Sequence, residues 1–294
     1  MPSIPKTLSY SIEYYFLRIL EKFISIIPRF IALKLGSIAG LIFYLSGIYQ
    51  KTVIANMKHA GFWSEKEIKS IVFKLYKNMG RYIIDFLRTN STAPAYRVHN
   101  QHILTEVLSR NKGTIVLLAH IGNWEMLAEV FGKKLPDLNV IAKRMKNQKV
   151  DQWLASKRSR TGVITIYSEQ ALRKMIEVIK RNGIVAILID QHAGKHGTMV
   201  PFLGKPANTV RSVAGIVEKT GCSVLPAYSL MAKDGTYDII IIETPEPQLE
   251  GDTENERVEE YQKLHNEIIS KWIVEHPEHY FGWFHKRFRN LIPY

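Results

Sequence analysis

One histidine stands where chemistry could be done. Thr114 to Ala119, mostly β-branched or aliphatic, lead into His120, and Ile121, Gly122, Asn123, Trp124 and Glu125 follow. An imidazole exchanges a proton near neutral pH. A carboxylate on its Nδ1 side fixes the tautomer that leaves Nε2 free as a general base. On a continuous helix His120 and Glu125 would point about 140° apart, at 3.6 residues per turn. They meet only if His120 lies in a turn ahead of the helix and Glu125 reaches back from its first turn. Gly122 permits such a turn and Asn123 suits the N-cap. N–H groups at the same helix start are placed to hold developing negative charge. The alternative is a structural histidine beside a helix-capping glutamate.

The elements that must position these residues alternate. The run 114–119 reads as a strand buried on both faces, with an apolar helix pattern from Trp124 onward. Strands are expected at 138–142, 163–167, 184–189, 223–228 and 237–243. Helices are expected at 152–160, 168–182 and 210–219, and an acidic loop over 243–260 leads into a further helix. This alternation indicates an α/β fold with a mixed, partly parallel sheet flanked by helices. Ligands of such sheets bind beyond the carboxyl ends of the strands. Asp190 repeats the placement of His120, a polar residue just after a buried strand. It reads as a site residue or as an ordinary turn aspartate.

The spacing His120-x4-Glu125, within His-x-Gly-Asn-Trp-Glu, resembles the H-x4-D/E motif of the glycerolipid acyltransferase superfamily, in the form found in bacterial lipid A late acyltransferases. Further segments resemble that family in the expected order: Lys51-x4-Asn56, Asn78-x-Gly80-Arg81, Val200-Pro-Phe-Leu-Gly204 with Thr209, and the terminal run from His276-Pro-Glu to Arg287-Phe-Arg289. In the family an arginine precedes the strand before Asp190, and Arg158 matches it best, with Arg160 two residues on. The resemblance implies transfer of a fatty acyl chain from acyl carrier protein to a hydroxyl of a lipid, a lipid A precursor, at the cytoplasmic face of the inner membrane, without a cofactor. It implies His120 as general base with Glu125 orienting the ring, and Asn123, Arg158 and Asp190 toward the substrate. Arg158 would fork two phosphate oxygens; a solvated arginine reads equally well. No Gly-x-Ser-x-Gly elbow occurs, which favours direct transfer without an acyl-enzyme.

Residues 1–50 are apolar, aromatic and basic, and 51–294 are expected to form the acyltransferase domain. Tyr10 to Ile27 is apolar around most of a helix, Pro28 interrupts it, and Leu35 to Gln50 carries no charge. That run is shorter than the roughly 18–20 residues of a membrane span. It describes a membrane-associating segment in an anionic leaflet, or else a buried core hairpin. The formal net charge of +13 asks for an anionic partner, and acyl carrier protein and an acidic membrane surface both qualify. No nucleic-acid-binding pattern is present, so nucleic acid is not expected. The single cysteine, Cys222, excludes an intramolecular disulfide and a cysteine zinc cluster. His192 and His196 stand four apart, but the glycines around them argue against a helical metal site, and no metal is expected. A metal-dependent hydrolase using His120, Asp190, His192 and His196 is the reading from another class. The aromatic, basic C-terminus could be an interfacial patch, and the apolar stretch 200–204 could line an acyl channel or pack the core.

Overall fold

The computed structural model describes residues 6–88, 94–135, 137–245, 247 and 249–294. Pro28 lacks the N–H that would continue a helix, and the N-terminal run divides there into α1 (Lys6–Ile26) and α2 (Arg29–Leu45). Then come α3 (Gln50–Ala60) and α4 (Glu65–Leu87). The α4 N-terminus is a capping box, in which Ser64 Oγ accepts from Glu67 N and the Glu67 carboxylate accepts from Ser64 N. Gly36 and Gly40 of α2 face Tyr76 and Gly80 of α4 so closely that a Cβ at any of the three glycines would strike the opposite backbone. The two helices are thereby packed backbone to backbone. Among the described residues no single helix is long and apolar enough to cross a membrane. Only α2 and α3 together are, and they are bent by 86°.

The remaining elements are β1 (Tyr96–His99), α5 (Gln101–Ser109), β2 (Thr114–Leu118), α6 (Trp124–Lys134), β3 (Leu138–Ala142), α7 (Gln148–Ser159), β4 (Ile164–Tyr167), α8 (Ala171–Lys180), β5 (Ile184–Leu188), β6 (Gly197–Phe202), β7 (Lys205–Val210), α9 (Ser212–Thr220), β8 (Ser223–Met231), β9 (Tyr237–Ile241) and α10 (Glu254–Glu275). Seven strands form one sheet in the order β1-β9-β8-β2-β5-β3-β4, and β6 and β7 form a separate hairpin. Only the β8–β9 pair of the main sheet is antiparallel; its other pairs are parallel. The sheet is therefore mixed, as expected.

Side chains alternate across the central strands. Ile115, Leu117, Val185 and Ile187 face one core, with α8, α9, α10 and parts of α3 and α4. Val116, Leu118, Ile184 and Ala186 face the other, with α5 and α6. Both cores leave the carboxyl ends of β2 and β5 at one rim. Three elements differ from the sequence reading. β1 and α5 were not foreseen, and the stretch around Val200 to Gly204 is the β6–β7 hairpin. Phe202 and Leu203 are buried there, with Asn266 and Ser270 of α10 bonding its backbone. Core packing, not a channel, accounts for that motif.

Candidate functional site

Parallel pairing of β2 with β5 sets Leu118 beside Leu188, and two residues further along each chain stand His120 and Asp190. The register alone brings them together. His120 Nδ1 lies 2.9 Å from Asp190 Oδ1, and His120 N donates to Asp190 Oδ2 at 3.2 Å. Asp190 is fully enclosed, whereas the His120 side chain keeps 24 % of its surface exposed. A carboxylate accepting from Nδ1 directs the lone pair to Nε2. Nε2 meets the amide of Gln191 at 3.3 Å, and the ring stands edge-on to Trp124 with centroids 5.0 Å apart. Burial pulls the imidazole pKa down. The charge of Asp190, its hydrogen bond and the nearby charge of Glu125 outweigh that and raise it above the ordinary 6.5. For Asp190 burial pushes upward, and the charge and hydrogen bonds of His120 leave the carboxyl below its ordinary 3.8.

The turn after His120 is held on both sides. Gly122 has φ +62°, and a Cβ there would strike the Ser229 carbonyl of β8. Gly122 N donates to the carbonyl of His279 at 2.8 Å, Phe281 N to that of His120 at 2.6 Å, and Asn123 N to that of Ser229 at 3.1 Å. Asn123 is the N-cap, its Oδ1 accepting from Met126 N at 3.0 Å. No hydrogen bond among the described residues uses the N–H of Trp124 or Glu125, so the helix start presents two donors beside the imidazole.

Four expectations need correction. Glu125 does not orient His120, because its two oxygens take Arg158 Nε at 3.0 Å and Nη2 at 2.5 Å; it acts on the imidazole only through its charge. The reason is placement: Glu125 lies in the first turn of α6, facing the end of α7, while Nδ1 turns toward β5. Arg158 is accordingly the arginine tied to the site, but the edge it would offer to a phosphate is engaged by that carboxylate. Asn123 is 5 % exposed, with its oxygen on the cap and its Nδ2 donating to Tyr237 Oη at 2.9 Å. It shapes the turn and does not face a substrate. Asp190, expected toward the substrate, is the ring's partner.

The sequence reading missed the supports of this turn. Tyr237 Oη donates to Asp85 Oδ2 at 2.9 Å, and Asp85 is forked by Arg29 Nε at 2.8 Å and Nη2 at 2.6 Å. Tyr82 bonds His279 Nδ1 at 2.8 Å. Nothing local in the sequence marks these residues, which lie inside α4, at the starts of α2 and β9, and in the terminal run. The terminal run is not an interfacial patch. Tyr280, Trp283, Arg287 and Phe288 are at most 2 % exposed: residues 279–281 pair with the His120 turn, Trp283 packs edge-on against Trp63, Arg287 donates to Asn208 O and Thr209 Oγ1, and Phe288 lies against Phe202. Among the described residues no three histidine, cysteine, aspartate or glutamate side chains converge as a metal site; the side chain of His196 lies outside the described residues.

Residues 3–290 match the model of a family described as bacterial lipid A biosynthesis acyltransferase. A phosphatidylinositol mannoside acyltransferase of Mycobacterium tuberculosis, from strain CDC 1551 / Oshkosh and likewise from strain H37Rv, is 23% identical over 129 residues. That stretch covers 42% of this chain and 41% of the relative, so the chain matches well under half of that protein's length. With nearly its whole length matched by the family model, the chain belongs to the bacterial lipid A biosynthesis acyltransferase family.

Proposed function

We propose that this protein transfers a fatty acyl chain from the thioester of acyl carrier protein to a hydroxyl of a lipid A precursor. His120 Nε2 takes the proton of the acceptor hydroxyl as its oxygen attacks the thioester carbonyl. The oxyanion is held by the N–H groups of Trp124 and Glu125 at the start of α6. Collapse expels the thiolate, which recovers the proton from the imidazolium. Throughout, Asp190 holds Nδ1–H and offsets the charge on the ring. The observation that carries this reading is the His120–Asp190 pair, with Nδ1 engaged at 2.9 Å and Nε2 on the partly exposed side. General-base action contributes about 10²–10⁴-fold, and an oxyanion donor about 10²–10³-fold.

The apolar N-terminus supports work at the inner membrane's cytoplasmic face. Phe16, Ile19 and Ile26 of α1 are 67%, 69% and 74% exposed, and Phe30, Ile42 and Leu45 of α2 are 64%, 64% and 73% exposed. Arg18, Lys22 and Lys34 lie among them. Such a surface fits helices lying in an anionic leaflet. The name of the mycobacterial relative favours one second reading, a glycolipid acceptor other than a lipid A precursor.

The test incubates purified protein with acyl carrier protein loaded with a labelled chain and with a lipid A precursor, and reads the acceptor's mass. A gain of one acyl group, abolished in His120→Ala, is the expected result. Undiminished transfer by His120→Ala would overturn the mechanism. Transfer to a mannosylated phosphoinositide in preference to the lipid A precursor would move the acceptor to the second reading.

A further inference from the structure

The loop from β3 to α7 carries Lys143, Arg144 and Lys146, and Lys149 follows in the first turn of α7, all of them exposed. It leaves the sheet at the same rim as His120. With β5 between β2 and β3, the end of β3 lies two strand spacings, about 10 Å, from the histidine. No ion pair among the described residues engages Lys143, Arg144 or Lys146. The loop is nevertheless built. The Arg144 guanidinium lies 3.6 Å from the Tyr167 ring centroid. Tyr167 Oη donates to Asp151 Oδ2 at 2.7 Å, and Met145 N donates to Asp151 Oδ1 at 2.9 Å. Both oxygens of Asp151 are thus engaged by neutral donors, and none of the three cations is tied into an ion pair with it.

The same loop is fastened to the apolar helix α1. Asn147 Nδ2 donates to Tyr10 O at 2.8 Å and to Glu13 Oε2 at 2.9 Å, and Lys149 Nζ donates to Ser11 Oγ at 3.0 Å. The exposed Leu8, Ile12, Tyr15 and Phe16 of α1 therefore run on from the cationic loop, whose own Met145 is 41% exposed. A ligand meeting both surfaces has an anionic head and hydrocarbon tails.

Resting on the proposed acyl transfer, we propose that Lys143, Arg144 and Lys146 seat a phosphate on the headgroup of the acceptor lipid, holding it beside His120 while its chains lie along α1. Arg144, pre-set by its stack on Tyr167, supplies the planar fork, and the two lysines add charge. This is the phosphate contact that Arg158, locked to Glu125, does not offer.

The experiment uses the full chain and measures partition by flotation onto three kinds of vesicle. These are phosphatidylcholine alone, phosphatidylcholine with phosphatidic acid, and phosphatidylcholine with cholesterol hemisuccinate at matched charge. Wild-type protein should prefer the phosphomonoester vesicles. Each of Lys143→Gln, Arg144→Gln and Lys146→Gln should weaken that binding about fivefold at low salt, as expected for one cation near an anionic surface. The triple variant should lose the preference for phosphomonoester over carboxylate and keep wild-type binding to phosphatidylcholine, with an unchanged melting curve. A triple variant that retains the preference overturns the proposal. So does one with wild-type partition but weakened binding to acyl carrier protein, which would make the loop a protein-docking surface. Repeating the flotation on His120→Ala separates the two readings, since a headgroup seat survives loss of the chemistry, and failure of acyl transfer leaves the partition result intact.

Discussion

Exchanging Asp190 for asparagine tests the site more sharply than any change at Glu125. Both oxygens of Asp190 accept, one from His120 Nδ1 at 2.9 Å and one from His120 N at 3.2 Å. An amide accepts on one side only. If Oδ1 takes the Nδ1 proton, Nδ2 confronts the backbone N–H, and a buried donor left without a partner costs about 1–3 kcal/mol. If the amide turns over, Nδ1 must accept and the ring proton moves to Nε2, where it blocks the base. In either arrangement the charge that offsets the imidazolium is gone, and one charge-assisted bond is worth about 1.5–3 kcal/mol, or about ten- to a hundredfold in rate. Adding the tautomer error, transfer should fall about 10²–10⁴-fold. Glu125→Gln should behave differently. It breaks a fork to Arg158 whose partners are each 15% exposed. The loss should therefore appear mainly in stability, at roughly 2–4 kcal/mol, with a smaller loss of rate per folded molecule. Single-turnover transfer and thermal melting, measured on both variants, separate the two effects. Wild-type transfer by Asp190→Asn, with transfer abolished and melting unchanged in Glu125→Gln, would refute the assignment of Asp190 to the ring.

Three further outcomes follow from the same geometry. Because, against burial, the Asp190 and Glu125 charges raise the His120 pKa above its ordinary 6.5 and the proposed base must be neutral, the acid limb of kcat/KM should lie above that value and move down in Asp190→Asn. In linkage terms the pair's contribution to stability is complete between pH 3.8 and 6.5; it is lost as pH falls through the depressed aspartate pKa or rises through the raised histidine pKa. High salt should release only part of the protein from membranes, since attraction to anionic lipid is screened over about 8 Å whereas apolar insertion is not; Phe16→Asp with Ile19→Asp should shift it to the soluble fraction at low salt. Tyr237→Phe removes one hydroxyl between Asn123 and Asp85 and should cost about 1–3 kcal/mol in a melt, with kcat reduced and KM for the carrier unchanged.

What the sequence disclosed was periodic or local. The buried strands around 114–119 and 184–189 and the N-cap at Asn123 are written in neighbouring residues, and each stands where expected. Strand-end placement marked His120 and Asp190 independently. The sequence could not disclose that they are partners, because that depends on β2 lying beside β5 in one particular register, a property of the whole sheet. Glu125 was the nearer carboxylate in sequence and so took the role in the reading, whereas in space a guanidinium from α7 claims it. The terminal aromatics illustrate the same difficulty. Tyr280 and Trp283 in a basic stretch look interfacial by composition, and only long-range contacts explain their burial: Tyr280 pairs with the His120 turn and Trp283 packs on Trp63. The β6–β7 hairpin escaped notice because Pro201, Gly204 and Pro206 read as loop residues.

The division of the chain at residue 50 meets a physical obstacle in α4. One side of α4 takes α2 through Gly80; the other reaches the His120 turn through Asp85. Arg29, the first residue of α2, forks Asp85, which accepts from Tyr237, which in turn accepts from Asn123, the cap of the helix that follows His120. Burial and the adjacent Asp85 charge push the Tyr237 phenol well above its ordinary 10.0, so it remains a donor to that carboxylate. The bonds run in one sense from cap to carboxylate, and Arg29 supplies the only cation that closes them among the hydrogen bonds that Asp85 receives from side chains. Deleting the apolar helices would therefore leave a carboxylate 3 % exposed without its counter-ion, and breaking a buried pair by removing one partner costs about 3–5 kcal/mol. It would also strip Glu21 from Lys157, which is bonded to it at 3.2 Å. On the proposed function, a truncated chain would lose membrane partition and the shape of the His120 turn together. Surface substitutions on α1 are the perturbation that separates them, because they alter the exposed stripe and leave the anchor of the turn in place.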